Sequence, residues 1–109
     1  MATTKKLLVT IIQRGHVKAM LRALPEALEH GTIVLKGRGT INPDLFESLV
    51  GLTYDDARDV VLTLLDAGDV KAVQDVFMRV GRMDDKNTGI MFVIDGDRAL
   101  GIVSRFDYL

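Results

Sequence analysis

The sequence predicts an α+β fold in which a four-stranded antiparallel sheet carries two helices on one of its faces. Four short runs of branched apolar residues, typical of strands, alternate with two stretches whose apolar residues recur at helical spacing. Glycine, proline and polar clusters separate these segments. The length of 109 residues and the apolar content of 48% suit one domain, residues 1–109, with a single packed core.

The first half of the chain predicts a strand, a helix and a second strand. Lys6 to Gln13 (KLLVTIIQ) is nearly all apolar, as expected of a central strand. A helix begins near His16, and its apolar stripe consists of Val17, Met20, Leu21, Leu24 and Leu28. Because Pro25 lacks a backbone donor, this helix is expected to end or kink near Ala23. A second strand follows over Thr32 to Lys36.

A long polar stretch separates the two halves of the chain. It runs from Gly37 to about Asp56 and is expected to be a flexible loop. Within it, Asn42-Pro43-Asp44 has the composition of a turn or of a helix start, and the latter is compatible with a short helical turn over Leu45 to Leu49.

The second half repeats the order strand, helix, strand. Arg58 to Leu65 (RDVVLTLL) has a strand pattern, and the stripe of the next helix consists of Val70, Val73, Phe77 and Val80. Asp66 or Asp69 is placed to cap the start of this helix, and Gly81 is placed to end it in a left-handed conformation. A polar loop, Met83 to Gly89, precedes the fourth strand.

The end of the chain predicts a fourth strand and a hairpin. The strand covers Ile90 to Ile94, Asp95-Gly96 forms a turn, and Ala99 to Val103 forms one more short strand. Together the elements make the ferredoxin-like βαββαβ arrangement, which leaves one face of the sheet without helices.

The face without helices is expected to be apolar. Its predicted members are Leu8, Ile33, Val61 and Phe92. A monomer would expose these side chains to water, so the sequence predicts a homo-oligomer.

Composition argues against several classes of function. The 14 basic and 15 acidic residues nearly balance, so no strong field attracts nucleic acid or acidic membranes. The chain has no cysteine, which removes disulfides and thiolate chemistry and fits a cytoplasmic protein. The apolar run after the first lysines, Leu7 to Ile12, is too short for a signal peptide or a membrane span. We therefore expect neither nucleic-acid binding nor membrane insertion.

Three stretches resemble the PII family of signalling proteins (nitrogen regulatory protein P-II), particularly its short divergent members: KKLLVTIIQRG, HGTIVLKGRGT and NTGIMFVIDGDRALGIV. The likeness covers about Lys5 to Val103 in the same order of elements. It implies a ferredoxin-like homotrimer that binds a nucleotide or another small effector between subunits. It also implies that the long loop after the second strand grips a target transporter, enzyme or regulator, with nitrogen regulation as the usual theme.

The resemblance also assigns effector-binding residues. They are Gly37, Arg38, Gly39, Thr40, Arg58, Asn87, Thr88 and Gly89. The first four fall at the base of the partner-gripping loop, whose tip would lie in Thr40 to Tyr54. The last three belong to the loop that cradles phosphates in the family, and Arg58 aligns with a basic position.

Three cations of nucleotide-binding members are missing from this chain. The lysine that stands immediately before the fourth strand in the family is replaced by Gly89, and two later arginines of the family align with Gly101 and Val103. Each charge-assisted contact to phosphate contributes roughly 1.5–3 kcal/mol, so ordinary ATP binding is expected to be weak. A smaller adenine nucleotide or a carboxylate metabolite stays open as the effector, and no metal site is predicted.

The segment Lys36-Gly37-Arg38-Gly39-Thr40 has two interpretations. In the first, the glycines let the backbone approach a ligand, the amides form an anion-binding nest and Arg38 binds the anion. In the second, the strand simply ends in a turn that needs positive φ, with a solvated arginine between the glycines.

Other polar residues predict structure rather than chemistry. His30 is interpreted as a cation at a helix end, and Asp55-Asp56 and Asp84-Asp85 as solvated turn residues. No nucleophile with a neighbouring base is evident, so the sequence does not predict an enzyme. Two alternatives stay open: a structural trimer without effector binding and, less favoured, an acylphosphatase-like enzyme that uses Arg14.

Overall fold

The computed structural model describes residues 4–38, 57–85 and 88–96. Within these ranges the strands are β1 (Lys5–Gln13), β2 (Gly31–Arg38), β3 (Ala57–Asp66) and β4 (Gly89–Asp95). The helices are α1 (Val17–Arg22) and α2 (Val70–Val80), and a 3-10 turn over Ala67–Asp69 leads into α2. Neither helix in these ranges is long and apolar enough to cross a membrane. The predicted turn near residue 45 and the predicted strand near residue 100 lie outside the described residues.

The four strands form one antiparallel sheet in the order β2-β3-β1-β4. The longest ladder joins the two central strands, from Lys5 opposite Asp66 to Gln13 opposite Arg58. Strands β2 and β4 are the edges. The predicted α+β class and the antiparallel sheet are therefore confirmed, and the strand order is compatible with a ferredoxin-like arrangement.

The core lies between the sheet and the two helices. Alternate residues of the central strands face it, and these include Leu8, Ile12 and Leu65, all fully buried or nearly so. They pack with Met20 of α1 and Phe77 of α2, both of which are also inaccessible to solvent. Both helices thus cover the same face of the sheet, as their apolar stripes predicted.

The prediction for the uncovered face is half right. Ile33 and Phe92 occupy one row of the sheet and are 60% and 43% exposed, as expected. Leu8 and Val61 were assigned to the same face, but both are fully buried on the helix side. Because β1 and β3 are apolar on both faces, alternation marks two sets of positions without showing which set the helices cover.

Helix α1 ends where the sequence predicted. Its last residue is Arg22 and its C-cap is Ala23, two positions before Pro25. His30 therefore does not sit at a helix end, and its interpretation as a helix-end cation is wrong. It directly precedes β2, where its Nδ1 lies 2.7 Å from the Oγ1 of Thr32.

The start of α2 has no side-chain cap. Asp69 occupies the N-cap position but makes no capping hydrogen bond. Asp66, the other candidate, instead accepts a hydrogen bond of 2.5 Å from the Nζ of Lys5. This ion pair joins the ends of the two central strands, so the carboxylate stabilises the sheet rather than the helix.

The end of α2 corrects the prediction for Gly81. The left-handed residue is Arg82, with φ of 52°, whereas Gly81 has the helical φ of −79°. The amides of Arg82 and Met83 donate to the carbonyls of Arg79 and Met78, a Schellman arrangement with Arg82 at the position that glycine usually occupies. Glycine at 81 has a packing reason. An ideal Cβ there would lie only 2.7 Å from the Phe77 carbonyl oxygen and 2.8 Å from the Cδ1 of Ile12.

Arg82→Gly is accordingly expected to raise the free energy of unfolding by about 0.5–1 kcal/mol. The glycine removes the cost of a left-handed L-residue, part of which is offset by the greater entropy of the unfolded chain. The lost ion pair to Asp85 is exposed on both sides and contributes little. Urea denaturation of the variant measures the change. A decrease in stability would show that Arg82 is not strained.

Two buried threonines interrupt the core. Thr10 and Thr63 are fully buried on the helix side of the central strands. Neither hydroxyl makes a hydrogen bond within the part of the chain that the structure describes. A buried hydroxyl without a partner costs roughly 1–3 kcal/mol, so these two hydroxyls lower the stability of the fold.

Thr63→Val is expected to stabilise the protein by about 1 kcal/mol, because valine keeps the shape and removes the unpaired hydroxyl. Thr10→Val should have a similar effect. Thermal unfolding of each variant beside the wild-type protein is the measurement. Loss of stability in either variant would mean that the hydroxyl is hydrogen-bonded in solution.

Candidate functional site

Predicted site residues from three separate parts of the sequence lie in one row at one end of the sheet. Arg58 of β3 lies between Gly37 of β2 and Gln13 of β1 in the strand register. The amide of Gln13 donates a hydrogen bond of 2.8 Å to the carbonyl of Thr88, which directly precedes β4. Gly37, Arg58, Gln13 and Thr88 thus form one row across all four strands. We call these four residues the end row.

The end row is too long for one small ligand to contact the residues at both of its ends. Neighbouring strands lie about 4.8 Å apart, so Gly37 and Thr88 are separated by roughly 14 Å. A small ligand cannot touch both residues through the side chains of a single row. An effector that uses both predicted loops of one chain would have to span the sheet, whereas an effector between copies would use one loop from each.

Gly37 and Arg38 belong to β2 rather than to a turn. The strand continues to Arg38, which lies opposite Ala57. Among the described glycines only Gly15 has positive φ, so the interpretation of Gly37 as a left-handed turn residue is wrong. A Cβ at Gly37 would meet only the Cγ2 of Val60, at 3.9 Å. Packing among the described residues therefore does not require glycine here.

Arg58 is the most buried cation of the described residues, with 8% of its surface exposed. Its Nη1 donates a hydrogen bond of 3.0 Å to the carbonyl oxygen of Ala57. By the alternation of β3, its side chain leaves the sheet on the face away from the helices. A guanidinium held in this way supplies a fixed positive charge at the edge of that face.

Thr88 and Gly89 hold the start of β4 against β1. Thr88 is 4% exposed, and its amide donates to the carbonyl of Asp85 at 3.3 Å. A Cβ on Gly89 would collide with the backbone oxygen of Ile11 and lie 3.0 Å from the Cα of Ile12. The glycine that the resemblance assigns to effector binding is thus required by strand packing. Gly39, Thr40 and Asn87 lie outside the described residues.

Sequence reasoning missed the acidic residue of this region. Asp59 is only 5% exposed, faces the helix side and pairs with Lys36 across β2 and β3, Nζ to Oδ1 3.5 Å. The sequence contains a signal for this residue, because the carboxylate of Asp59 comes directly before the apolar run of the strand. Its contact with a largely exposed lysine places one ion pair on the helix side of the sheet, opposite the Arg58 face.

Among the described residues, the part of the end row from Gly37 to Gln13 has an excess of positive charge. Its charges are Arg14, Lys36, Arg38, Arg58 and Asp59, whereas Asp84 and Asp85 lie in the turn before Thr88, with Asp85 paired to Arg82. Such a set attracts anions, and the backbone amides at the end of β2 add donors. No group of three or more His, Cys, Asp or Glu residues that would hold a metal occurs within residues 4–38, 57–85 and 88–96. The chemistry supported by these residues is anion binding.

The larger feature next to this end row is the face of the sheet that neither described helix covers. We call it the open face, and its apolar residues are Leu7, Val9, Ile11, Ile33, Leu35, Val60, Leu62, Leu64, Ile90, Phe92 and Ile94. Those on the two edge strands are the most exposed, from 43% at Phe92 to 60% at Ile33. Lys5 and Asp66 bound it at one end and Arg58 at the other. A continuous apolar face of this kind marks an interaction surface.

Neither the protein-family models nor the curated proteins contain a match to this chain.

Proposed function

We propose that this chain is a PII-like regulatory protein of the cytoplasm. In this proposal its fold is ferredoxin-like, three copies associate through their open faces, and a small anionic effector binds at the seams between copies. Effector binding would then modulate a target protein, with nitrogen regulation as the pathway that the family resemblance suggests. The observation that carries the proposal is the open face. Burying this face requires a second copy, and the proposed effector site lies between copies.

The composition of the open face supports association between copies. Its interior has eleven apolar side chains and no charge. Fully burying a side chain such as leucine or phenylalanine contributes about 1.5–3 kcal/mol, so partial burial of this set favours assembly strongly. Among the described residues of this face, the charged side chains lie at its ends, which is the arrangement of an apolar centre with a polar rim.

The position of the end row supports a binding site at a seam. Arg58 and Gly37 are side by side at one end of the open face, so copies that bury this face would bring a second molecule next to them. Thr88 lies roughly 14 Å away across the sheet. In a closed assembly, the Gly37 end of one copy and the Thr88 end of another would both border one ligand.

The cations of the end row favour a small anion as the effector. Arg58 is fixed by burial and Arg38 is exposed at the end of β2. An adenine nucleotide smaller than ATP, or a carboxylate metabolite, fits this charge better than ATP does. Because the three family cations are missing, the remaining cations of the end row do not neutralise the phosphate charge of ATP.

The proposal is tested by native mass and by thermal shift with a panel of nucleotides and carboxylates. A trimer is expected, and at least one compound should raise Tm. A ligand at 100 times its Kd stabilises the native state by about 2.7 kcal/mol, which is a shift of several degrees. Arg38→Gln should lose the shift, whereas Lys71→Gln, on the exposed side of α2, should keep it.

Two outcomes would count against this function. A monomeric mass with no shift would remove the proposal altogether. A stable trimer whose Tm responds to no compound would retain the assembly but replace effector binding with a structural role.

A further inference from the structure

The two edge strands carry exposed apolar side chains on both of their faces. Those on the open face are Ile33, Leu35, Ile90, Phe92 and Ile94. On the helix side, Val34 of β2 and Val93 of β4 are 42% and 38% exposed. Burial of the open face between copies would not cover these two valines, because they lie on the opposite face and at opposite edges of the sheet. One flat interface therefore does not account for both edges.

The exposure of the two valines comes from their place at the edges. Val34 lies opposite Val61 of β3, and Val93 lies opposite Leu8 of β1, and both of these central residues are fully buried. Among the described strands, β2 and β4 each have a neighbour on one side only. The outer side of such a strand presents backbone donors and acceptors to which another strand can bind.

Neither edge strand has the features that keep sheet edges apart. The two strands contain no proline, and each pairs with its inner neighbour in a regular ladder without a bulge. Their charged residues lie at their C-terminal ends, namely Lys36 and Arg38 in β2 and Asp95 in β4. The apolar centre of each edge is thus unprotected, which is the condition for strand addition.

We infer that β2 of one copy pairs with β4 of the next copy in an antiparallel ladder, so that the sheets of neighbouring copies are continuous. This inference rests on the proposed association of copies and specifies how they join. All neighbouring strands of the sheet are antiparallel, so β2 and β4 run in opposite directions. Copies related by rotation about an axis along the strands therefore bring these edges together antiparallel. Closing three copies in this way leaves no edge unpaired.

The faces and lengths of the two strands select one register. A continuous sheet places open-face residues opposite open-face residues, which excludes every second register. The register with Val34 opposite the partner's Val93 pairs all seven residues of β4 with residues 32–38. The alternative with Thr32 opposite the partner's Val93 uses only residues 31–36 of β2 and is one pair shorter. The first register gives the longest ladder.

In this register apolar side chains face one another on both sides of the ladder. Leu35 lies opposite the partner's Phe92 on the open face, and the two valines lie opposite each other on the helix side. Cross-strand pairs contribute roughly 0.2–1 kcal/mol each relative to alanine pairs. Lysine at position 34 or 93 would keep the backbone ladder, because its ammonium group reaches water on this side. The ladder also places Arg38 beside the partner's Gly89, so predicted effector segments of two copies are neighbours at one seam.

Cysteine cross-linking tests the ladder, because the chain has no cysteine of its own. Opposite residues of an antiparallel ladder have Cα atoms about 4.5–5.5 Å apart, within the range for a disulfide. Within one copy, positions 34 and 93 are three strand spacings apart, roughly 14 Å, which is too far. Oxidation of Val34→Cys/Val93→Cys with diamide should therefore give a covalent trimer on a non-reducing gel, and reduction should return it to single chains.

Matched variants distinguish other arrangements. Thr32→Cys/Val93→Cys, which represents the shorter register, should cross-link much more slowly. The single variants Val34→Cys and Val93→Cys should stay at the mass of one chain. A cross-linked dimer of either single variant would overturn the inference, since it would show that identical edges of two copies pair. All the substituted side chains are at least partly exposed, so each variant is expected to fold, which circular dichroism checks.

Native mass separates this inference from the proposed function. A trimer in which the double variant gives no cross-link would overturn the ladder but retain association through the open faces. A monomeric mass without a cross-link would overturn both.

Discussion

Under the proposed function, Phe92→Lys is expected to convert the trimer into monomers, whereas Val93→Lys should leave the trimer intact. The two residues are neighbours on edge strand β4 and have similar exposures, 43% and 38%. They differ in the face that they occupy, because Phe92 belongs to the open face and Val93 lies on the helix side. A lysine buried in the interface without a partner costs several kcal/mol, and each copy in the assembly would bear that cost.

Sedimentation or light scattering over a range of concentrations measures the effect. We expect the apparent association constant of Phe92→Lys to fall by at least about a hundred-fold, which corresponds to roughly 2.7 kcal/mol. Ile33→Lys and Val34→Lys on the opposite edge strand provide a second matched pair. If Val93→Lys and Val34→Lys dissociated the protein while Phe92→Lys did not, the interface would lie on the other side of the sheet.

The elements of this fold could be predicted because their periodicities are strong. Every predicted strand of the described ranges is present, and each is longer than predicted by one to three residues. Apart from Ala57, the extra residues are charged or glycine, such as Lys5, Gly37, Arg38 and Asp66, and they extend the ladders without adding a strong apolar signal. Backbone pairing, rather than side-chain pattern, sets these boundaries.

Which face the helices cover could not be predicted from the central strands. In β1, both Leu7 and Leu8 are apolar, and either could have packed against α2. Tertiary packing resolves the choice, since Leu8 and Ile12 lie in the core with Met20 of α1 and Phe77 of α2. Such information depends on pairings between residues far apart in the chain, which a local pattern does not contain.

The candidate site was predictable only in part, for a related reason. Gly37, Arg58 and Thr88 were each assigned by resemblance, and the strand register brings them into one row. The resemblance did not distinguish a glycine that packing requires from a glycine whose position leaves room for a side chain. Both are simply glycine in the sequence. Gly37 and Gly89 differ in this respect, and their substitutions separate the two roles.

Gly89→Ala is expected to lower the free energy of unfolding by about 1–3 kcal/mol, whereas Gly37→Ala should raise it slightly. The Cβ at 89 would meet backbone atoms of Ile11 and Ile12, which cannot move without breaking the ladder between β1 and β4. The Cβ at 37 meets only Val60 at ordinary contact distance. Alanine there removes a flexible residue from a strand, a gain of about 0.5–1 kcal/mol.

Denaturation at one fixed protein concentration measures both changes, since the proposed assembly would also contribute to the observed stability. Under the proposed function, the Gly37→Ala protein should be at least as stable as wild type in the absence of effector, yet lose most of the Tm shift that the effector produces. The added methyl group occupies the space next to Arg58 that the ligand would enter. A variant that kept both its stability and its ligand response would show that Gly37 is not at the seam, and the binding site would then have to be sought away from the end row.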